Sequence, residues 1–353
     1  MFCPLLLDAE KYNPDTLNLS DDAAVRGYWF QCFRDLVKKF TIQARKSENE
    51  SDDACMRSQR FQEDFLEKMN SLGESTENGE PITIRTLLDL NEMCLRRHGF
   101  SDPWRDQKIL ENKTALRMLR LRFEEVDKLR DNERWIELVR GLLAGNMFDW
   151  GAQAVCEILE GNSSFGLNEA LSYIQPRPWL IDGLDEWLAR LQKPAHKCAA
   201  IFVDNSGFDI ILGILPFARE LLRRKTKVIL CANSEPALAD ITYNELKEVM
   251  SSCCDECSIL REAYATERLL ILPNGQSGPC LNLKSLPPEL CQAMTYHETD
   301  LLVVEGMGRA LHTNLYAKFT CDTLKLAVVK NKWWANRLGG DTFSVICKFE
   351  SAI

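Results

Sequence analysis

The chain has 353 residues, 45% of them apolar and 27% charged, an ordinary globular composition that argues against wholesale disorder. Its net charge of -9 argues against broad binding to nucleic acid or an anionic membrane, both of which need basic surface. No apolar stretch approaches the ~20 residues that span a bilayer.

The first residues, Met1-Phe2-Cys3-Pro4-Leu5-Leu6-Leu7-Asp8, lack the basic start and long apolar run of a secretory signal. The 14 cysteines are read as reduced thiols in a soluble, cytoplasmic protein. The cluster Cys253-Cys254-Asp255-Glu256-Cys257 has CxxC spacing, but no second ligand pair answers it nearby. The expectation is therefore a helix end or loop, not a zinc site.

Residues 1–175 are expected to form a helical domain and residues 176–353 an α/β metal-binding catalytic domain. In the first half, residues 45–60 form a polar run without apolar period and read as a loop or a solvated helix end. Gly99 after Arg96-Arg97-His98 suits a helix end. Asp102-Pro103 before Trp104 reads as an acidic N-cap with proline at the first helical position. Leu116, Leu119, Phe123 and Val126 then repeat with the spacing of one helix face.

From about residue 198 short β-rich runs alternate with helical stretches. Strands are expected over Ala199–Val203, Lys227–Cys231, Arg268–Leu272, Leu301–Val304, Leu326–Val329 and Phe343–Lys348. The segment between the first two is long enough for the helical crossover that parallel pairing requires. Runs that are apolar throughout fit strands covered on both faces. The expected fold is an open, mostly parallel α/β sheet with helices on both faces.

In such sheets ligands bind beyond the carboxyl ends of the strands, and the polar residues fall there. Strand ends carry Asp204-Asn205-Ser206-Gly207, then Asn233-Ser234-Glu235-Pro236 with Asp240 beyond, then Glu305-Gly306-Met307-Gly308-Arg309, then Lys330-Asn331. One polar strand end is an ordinary helix cap; four in one sheet point to a site. Asp204, Asn205 and Asp240 offer hard oxygen ligands of the kind magnesium and manganese prefer. The ion would polarise a phosphoryl oxygen. Lys330 and Arg309 are candidates to neutralise the transferring phosphoryl group. His312 is read as either an acid–base group or a hydrogen-bonded structural histidine.

Competing motifs are weak. Gly306 and Gly308 begin a dinucleotide fingerprint, but the third glycine position holds Leu311. There is no G-x-x-x-x-G-K-[ST] phosphate loop. The D-x-D motif of haloacid-dehalogenase phosphatases fails at Ser206.

These motifs together resemble the damage-control phosphatases. The resemblance rests on Phe202–Gly207, Leu230–Asp240, Glu305–Arg309, Lys330-Asn331 and the stretch Ala144–Gly151, and it covers roughly residues 20 to 350. It is narrower for the subfamily bearing Glu-Gly-Met-Gly-Arg, which includes stand-alone plant proteins and a phosphatase domain fused to a pantothenate kinase-like domain.

The resemblance implies that Asp204, Asn205 and Asp240 hold the metal, one of Mn, Co, Ni or Mg. It implies that Asp204 and Lys330 are catalytic, Lys330 touching substrate phosphate. It implies that Asn233, Glu305, Gly306, Met307, Gly308, Arg309, Asn331, Asn146 and Asp149 line the substrate site. The implied substrate is 4'-phosphopantetheine and its oxidised, sulfonate-type forms, removed before they enter coenzyme A. One departure is Ala239 where many relatives carry asparagine, and the acid that follows it is retained.

Two alternatives remain open from sequence: a nucleotide-binding oxidoreductase, or a non-catalytic module that holds a phosphorylated metabolite. Direct water attack and an aspartyl-phosphate on Asp204 are likewise both open.

Overall fold

The computed structural model describes residues 1–74, 81–148 and 166–352. The six expected strands are all present. They are β2 (Cys198–Phe202), β3 (Lys227–Ala232), β4 (Leu269–Pro273), β5 (Thr299–Glu305), β6 (Asp322–Val328) and β7 (Val345–Glu350). Two residues, Ile181–Asp182, add an unforeseen β1. They form one sheet of order β1-β7-β6-β5-β2-β3-β4. Every neighbouring pair is parallel except β6 with β7. No described helix is long and apolar enough to cross a membrane.

The central strand shows why both faces must be covered, since all of β2 is buried. Ala199 and Ile201 point into a core built with α4 (Arg105–Lys128) and α5 (Asp131–Gly145). Cys198, Ala200 and Phe202 point into a second core with α1 (Ala23–Lys46), α2 (Asp52–Glu74) and α3 (Ile84–Arg97). The period-2 alternation of a strand thus sends successive residues to opposite layers. The early helices supply covers for both. Cys253, Cys254 and Cys257 lie in the first core, as packed thiols at a helix end.

Local signals set most helix ends. Asp22 caps α1 by accepting from the amides of Ala24 and Val25 at 2.8 and 3.1 Å. Thr83 and Thr86 cap α3 reciprocally, and Gly99 takes φ +85° just beyond it.

Two expectations are corrected. The polar run over 45–60 is mostly helical, because α1 reaches Lys46 and α2 starts at Asp52. Ala54, Ser58, Phe61, Phe65 and Met69 form a buried stripe under the polar face of α2. The Asp102-Pro103 pair does not cap α4, which begins at Arg105. Asp102 instead pairs with the buried ammonium of Lys108, 3.0 Å away.

Candidate metal centre

Strands β2, β3 and β4 are laid down toward one edge of the sheet, and β5 then returns to the other side of β2. The crevice at such a switch point is where open α/β sheets take ligands. Asp204 lies just beyond β2, Asn233 just beyond β3, Glu305 ends β5, and Lys330 follows β6. All four are buried.

Asp204 and Asp240 are brought together. Asn205, next to Asp204, pairs with Asp240 in a short backbone bridge, and the Ile241 amide donates to the Asp204 carbonyl at 3.0 Å. The fully buried Arg309 guanidinium spans the two carboxylates. It pairs with Asp204 Oδ1 and donates to Asp240 Oδ2 at 2.7 Å. Asn146, at the end of α5, donates to Asp204 Oδ2 at 2.9 Å. Asn233 donates to Asp240 Oδ2 at 2.9 Å. Arg309, expected on the phosphoryl group, is therefore found between the two acids.

Asn205 is oriented by two neighbours. Its Nδ2 donates to Asp204 Oδ2 at 3.1 Å and Asp209 Oδ2 at 3.0 Å. Asn205 lines the cleft with Asp204 and Asp240.

The structure adds an acid that sequence reading missed. Asp209 opens the π-helical segment Asp209–Ile214. Its carboxylate, with those of Asp204 and Glu305, offers oxygens that all lie within 4.8 Å of one another. Both Glu305 oxygens and Asp209 Oδ1 have no hydrogen-bond partner among the described residues. Burial first, and the Asp204 charge second, push the Asp209 carboxyl up to about 7. Burial, then Asp209 and Asp204, push Glu305 well above its usual range. Lys330 pulls both the other way, so its ammonium acts on the same cluster.

Buried carboxylate oxygens without partners are costly unless a cation answers them. An all-oxygen donor set of this kind fits a hard divalent ion. Asp204 belongs both to the expected triad and to the acidic cluster.

Two glycines have steric reasons. A Cβ on Gly306, which sits at φ +104°, would lie 2.3 Å from Asp204 Oδ2; one on Gly308 would lie 2.3 Å from the Pro279 carbonyl. Protein atoms therefore fill the space that a dinucleotide pyrophosphate would need over this turn. Asn331 accepts from the amides of Trp333 and Trp334 at 2.9 and 3.2 Å and caps the helix Lys332–Leu338. Met307 Sδ receives the Lys330 amide. Asp149 lies outside the described residues.

The space above the acids is a cleft of about 50 Å³ walled by Leu88, Leu238, Pro279, Met307 and His312. That is room for an ion and water or one phosphate-sized group, given the ~30 Å³ share of a water.

An open α/β sheet thus carries, at its switch point, clustered buried acids that could hold a metal ion, together with a buried lysine. The chain belongs to the damage-control phosphatase ARMT1-like domain family, which matches residues 31–346. It is 42% identical to the 4'-phosphopantetheine phosphatase of Mus musculus, over 98% of this chain and 48% of that protein. It is 39% identical to a damage-control phosphatase of Arabidopsis thaliana, over 91% of this chain and 87% of that one. A protein named pantothenate kinase 2 in the same plant is 36% identical and covered over 41% of its length. The chain thus spans less than half of the mouse protein and of the plant kinase. A solved DUF89 family protein of Pyrococcus horikoshii shares the fold, with a TM-score of 0.59 at 16% identity over 90% of this chain and 96% of that one.

Proposed function

We propose that the protein hydrolyses phosphate monoesters with a divalent cation held at the ends of β2 and β5, and that its substrate is 4'-phosphopantetheine or an oxidised form of it. The observation that carries this reading is the convergence of Asp204, Asn205 and Asp240 on one small cleft, with both Glu305 oxygens and one Asp209 oxygen lacking hydrogen-bond partners among the described residues and Lys330 acting on the same two acids. The substrate rests on the likeness to the mouse phosphatase.

Asp204, Asn205 and Asp240 would hold the ion, with the Asp209 and Glu305 carboxyls behind Asp204. When bound, the ion supplies Lewis acidity toward a phosphoryl oxygen. Arg309 spans the two aspartates and fixes their spacing. Lys330 places a fixed positive charge where the phosphoryl oxygens gain negative charge. Asn146 and Asn233 fix the carboxylate rotamers, so little reorganisation remains for the reaction itself. Leu88, Leu238 and Pro279 give the cleft an apolar wall beside these charges.

Phosphate release from a panel of esters, assayed with Mn, Co, Ni and Mg in turn, tests this reading. Release from 4'-phosphopantetheine that is lost in Asp204→Ala is the expected result. No release from any ester would leave a phosphate-binding module instead.

A further inference from the structure

Asn274 directly follows β4, is fully buried, and is not among the residues that wall the cleft. Its backbone amide donates to the carbonyl of Ala232, at the end of β3, at 2.8 Å. Its Oδ1 accepts from the Gln276 amide at 2.8 Å, and its Nδ2 donates to Asn233 Oδ1 at 3.0 Å. The same Asn233 oxygen accepts from Arg309 Nη2 at 2.9 Å. On its other side, Asn233 Nδ2 donates to Asp240 Oδ2 at 2.9 Å and to the Gly278 carbonyl at 3.1 Å.

These contacts leave one orientation for each amide. A backbone N–H and a guanidinium only donate, while a carbonyl and an ionised carboxylate only accept. The Gln276 amide therefore fixes which end of Asn274 is oxygen, and so turns its NH2 onto Asn233. Rotating the Asn233 amide by half a turn would set its oxygen against the Asp240 carboxylate and its NH2 against two donors. Arg309 also pairs with both aspartates, so its position is tied to theirs. The hydrogen bonds of Asn274 among the described residues go instead to backbone, Gln276 and Asn233. It thus gives Asn233 a reference that does not depend on the acids.

We propose that Asn274 is a positioning residue of the cation site: it fixes the Asn233 amide, which in turn fixes the Asp240 carboxylate for the ion. The inference rests on the cation reading above and extends it to a strand end that supplies none of the proposed ligands. Hydrogen-bond partners behind a ligating group are commonly worth about 10- to 100-fold in metal affinity or activity.

Manganese binding to the whole protein, followed by electron paramagnetic resonance of the free ion, tests this without any turnover. Asn274→Ala, and Asn274→Leu with nearly the original volume, should each weaken binding about tenfold. Asn233→Ala should weaken it at least as much. In the Asn233→Ala background, adding Asn274→Ala should change the affinity by less than about twofold, because the route from Asn274 to Asp240 is already cut. A residue that merely packs the turn would cost the same in both backgrounds.

Unchanged affinity in both Asn274 variants, or a full additional loss in the Asn233→Ala background, would overturn the proposal. A wild type that binds no manganese would sink the cation reading and this inference with it; wild-type binding that the Asn274 variants leave intact would sink this inference alone. Neutron diffraction from wild-type crystals decides the matter if the variants do not fold. Deuterons on Asn274 Nδ2 facing Asn233 Oδ1 are expected, and the reverse orientation would overturn the proposal.

Discussion

Two buried charge clusters sit on neighbouring strands of one sheet and are finished differently. On β6, Lys325 is fully buried, yet its ammonium donates to the carbonyls of Leu315 and Ala317 at 3.2 and 2.7 Å and to Glu350 Oε2 at 2.9 Å. Burial still pushes its pKa down to about 8. Glu350 is held at about 2, against the opposing pull of its own burial, by Lys318 and Lys325. On β5, one register position beyond the residue opposite Lys325, Glu305 is buried with neither oxygen hydrogen-bonded. A charge needed only for structure is fully answered within the chain. A cluster left incomplete in the interior is where the proposed cation would bind.

Substitutions sharpen that contrast. The largest effect is expected from Asp204→Ala, which removes the acid common to both ligand sets. Ester hydrolysis should fall by at least about 10³-fold, the several kcal/mol that a positioned cation contributes, while circular dichroism shows the fold retained. Next is Gly306→Ala. Its methyl group would meet Asp204 at 2.3 Å, and a displaced carboxylate should cost about 10²-fold in kcat.

Lys325→Met tests the finished cluster. It should lower unfolding free energy in urea by about 3 kcal/mol, the usual cost of breaking a buried pair, while kcat per folded molecule stays near wild type. Glu305→Gln tests the unfinished one. It should leave the melting temperature without metal near the wild-type value, because burial already favours the neutral form of that carboxyl. It should shrink the rise that manganese produces. A large drop without metal would mean that Glu305 is structural after all.

The smallest effect concerns pH. The Asp209 carboxyl is raised from the ordinary carboxylate range to about 7. The folded chain without metal therefore holds a proton between roughly pH 4 and 7 that the unfolded chain has released, and stability falls as pH rises through that window. A cation replaces the proton. The melting-temperature gain from manganese should accordingly grow from pH 5 to pH 7.5, as read by thermal scans at fixed ion concentration. A gain that is flat with pH would contradict the reading of the acids.

Much of this was legible in the chain. Continuous apolar runs marked six strands, because a strand covered on both faces has no polar side to show. The strand-end positions of Asp204, Asn233, Glu305 and Lys330 marked the crevice. Strand β1 escaped because two residues leave no period to read. Asp209 escaped because it sits against Ile210, Ile211 and Leu212 and reads as part of an amphipathic helix; a lone acid entering an all-apolar run was the available signal. The placement of Arg309 between two aspartates depends on how the turn after β5 lies over the β2 loop, which no local spacing encodes. The same holds for the Asn274–Asn233 pair, whose partners come from separate strand ends.

The most direct test is anomalous diffraction from crystals soaked in manganese. One peak is predicted in the cleft, within about 2.5 Å of Asp204 and with Asn205 and Asp240 completing the oxygen ligands. A protein that hydrolyses esters with manganese while its only peak lies away from Asp204 would contradict the account.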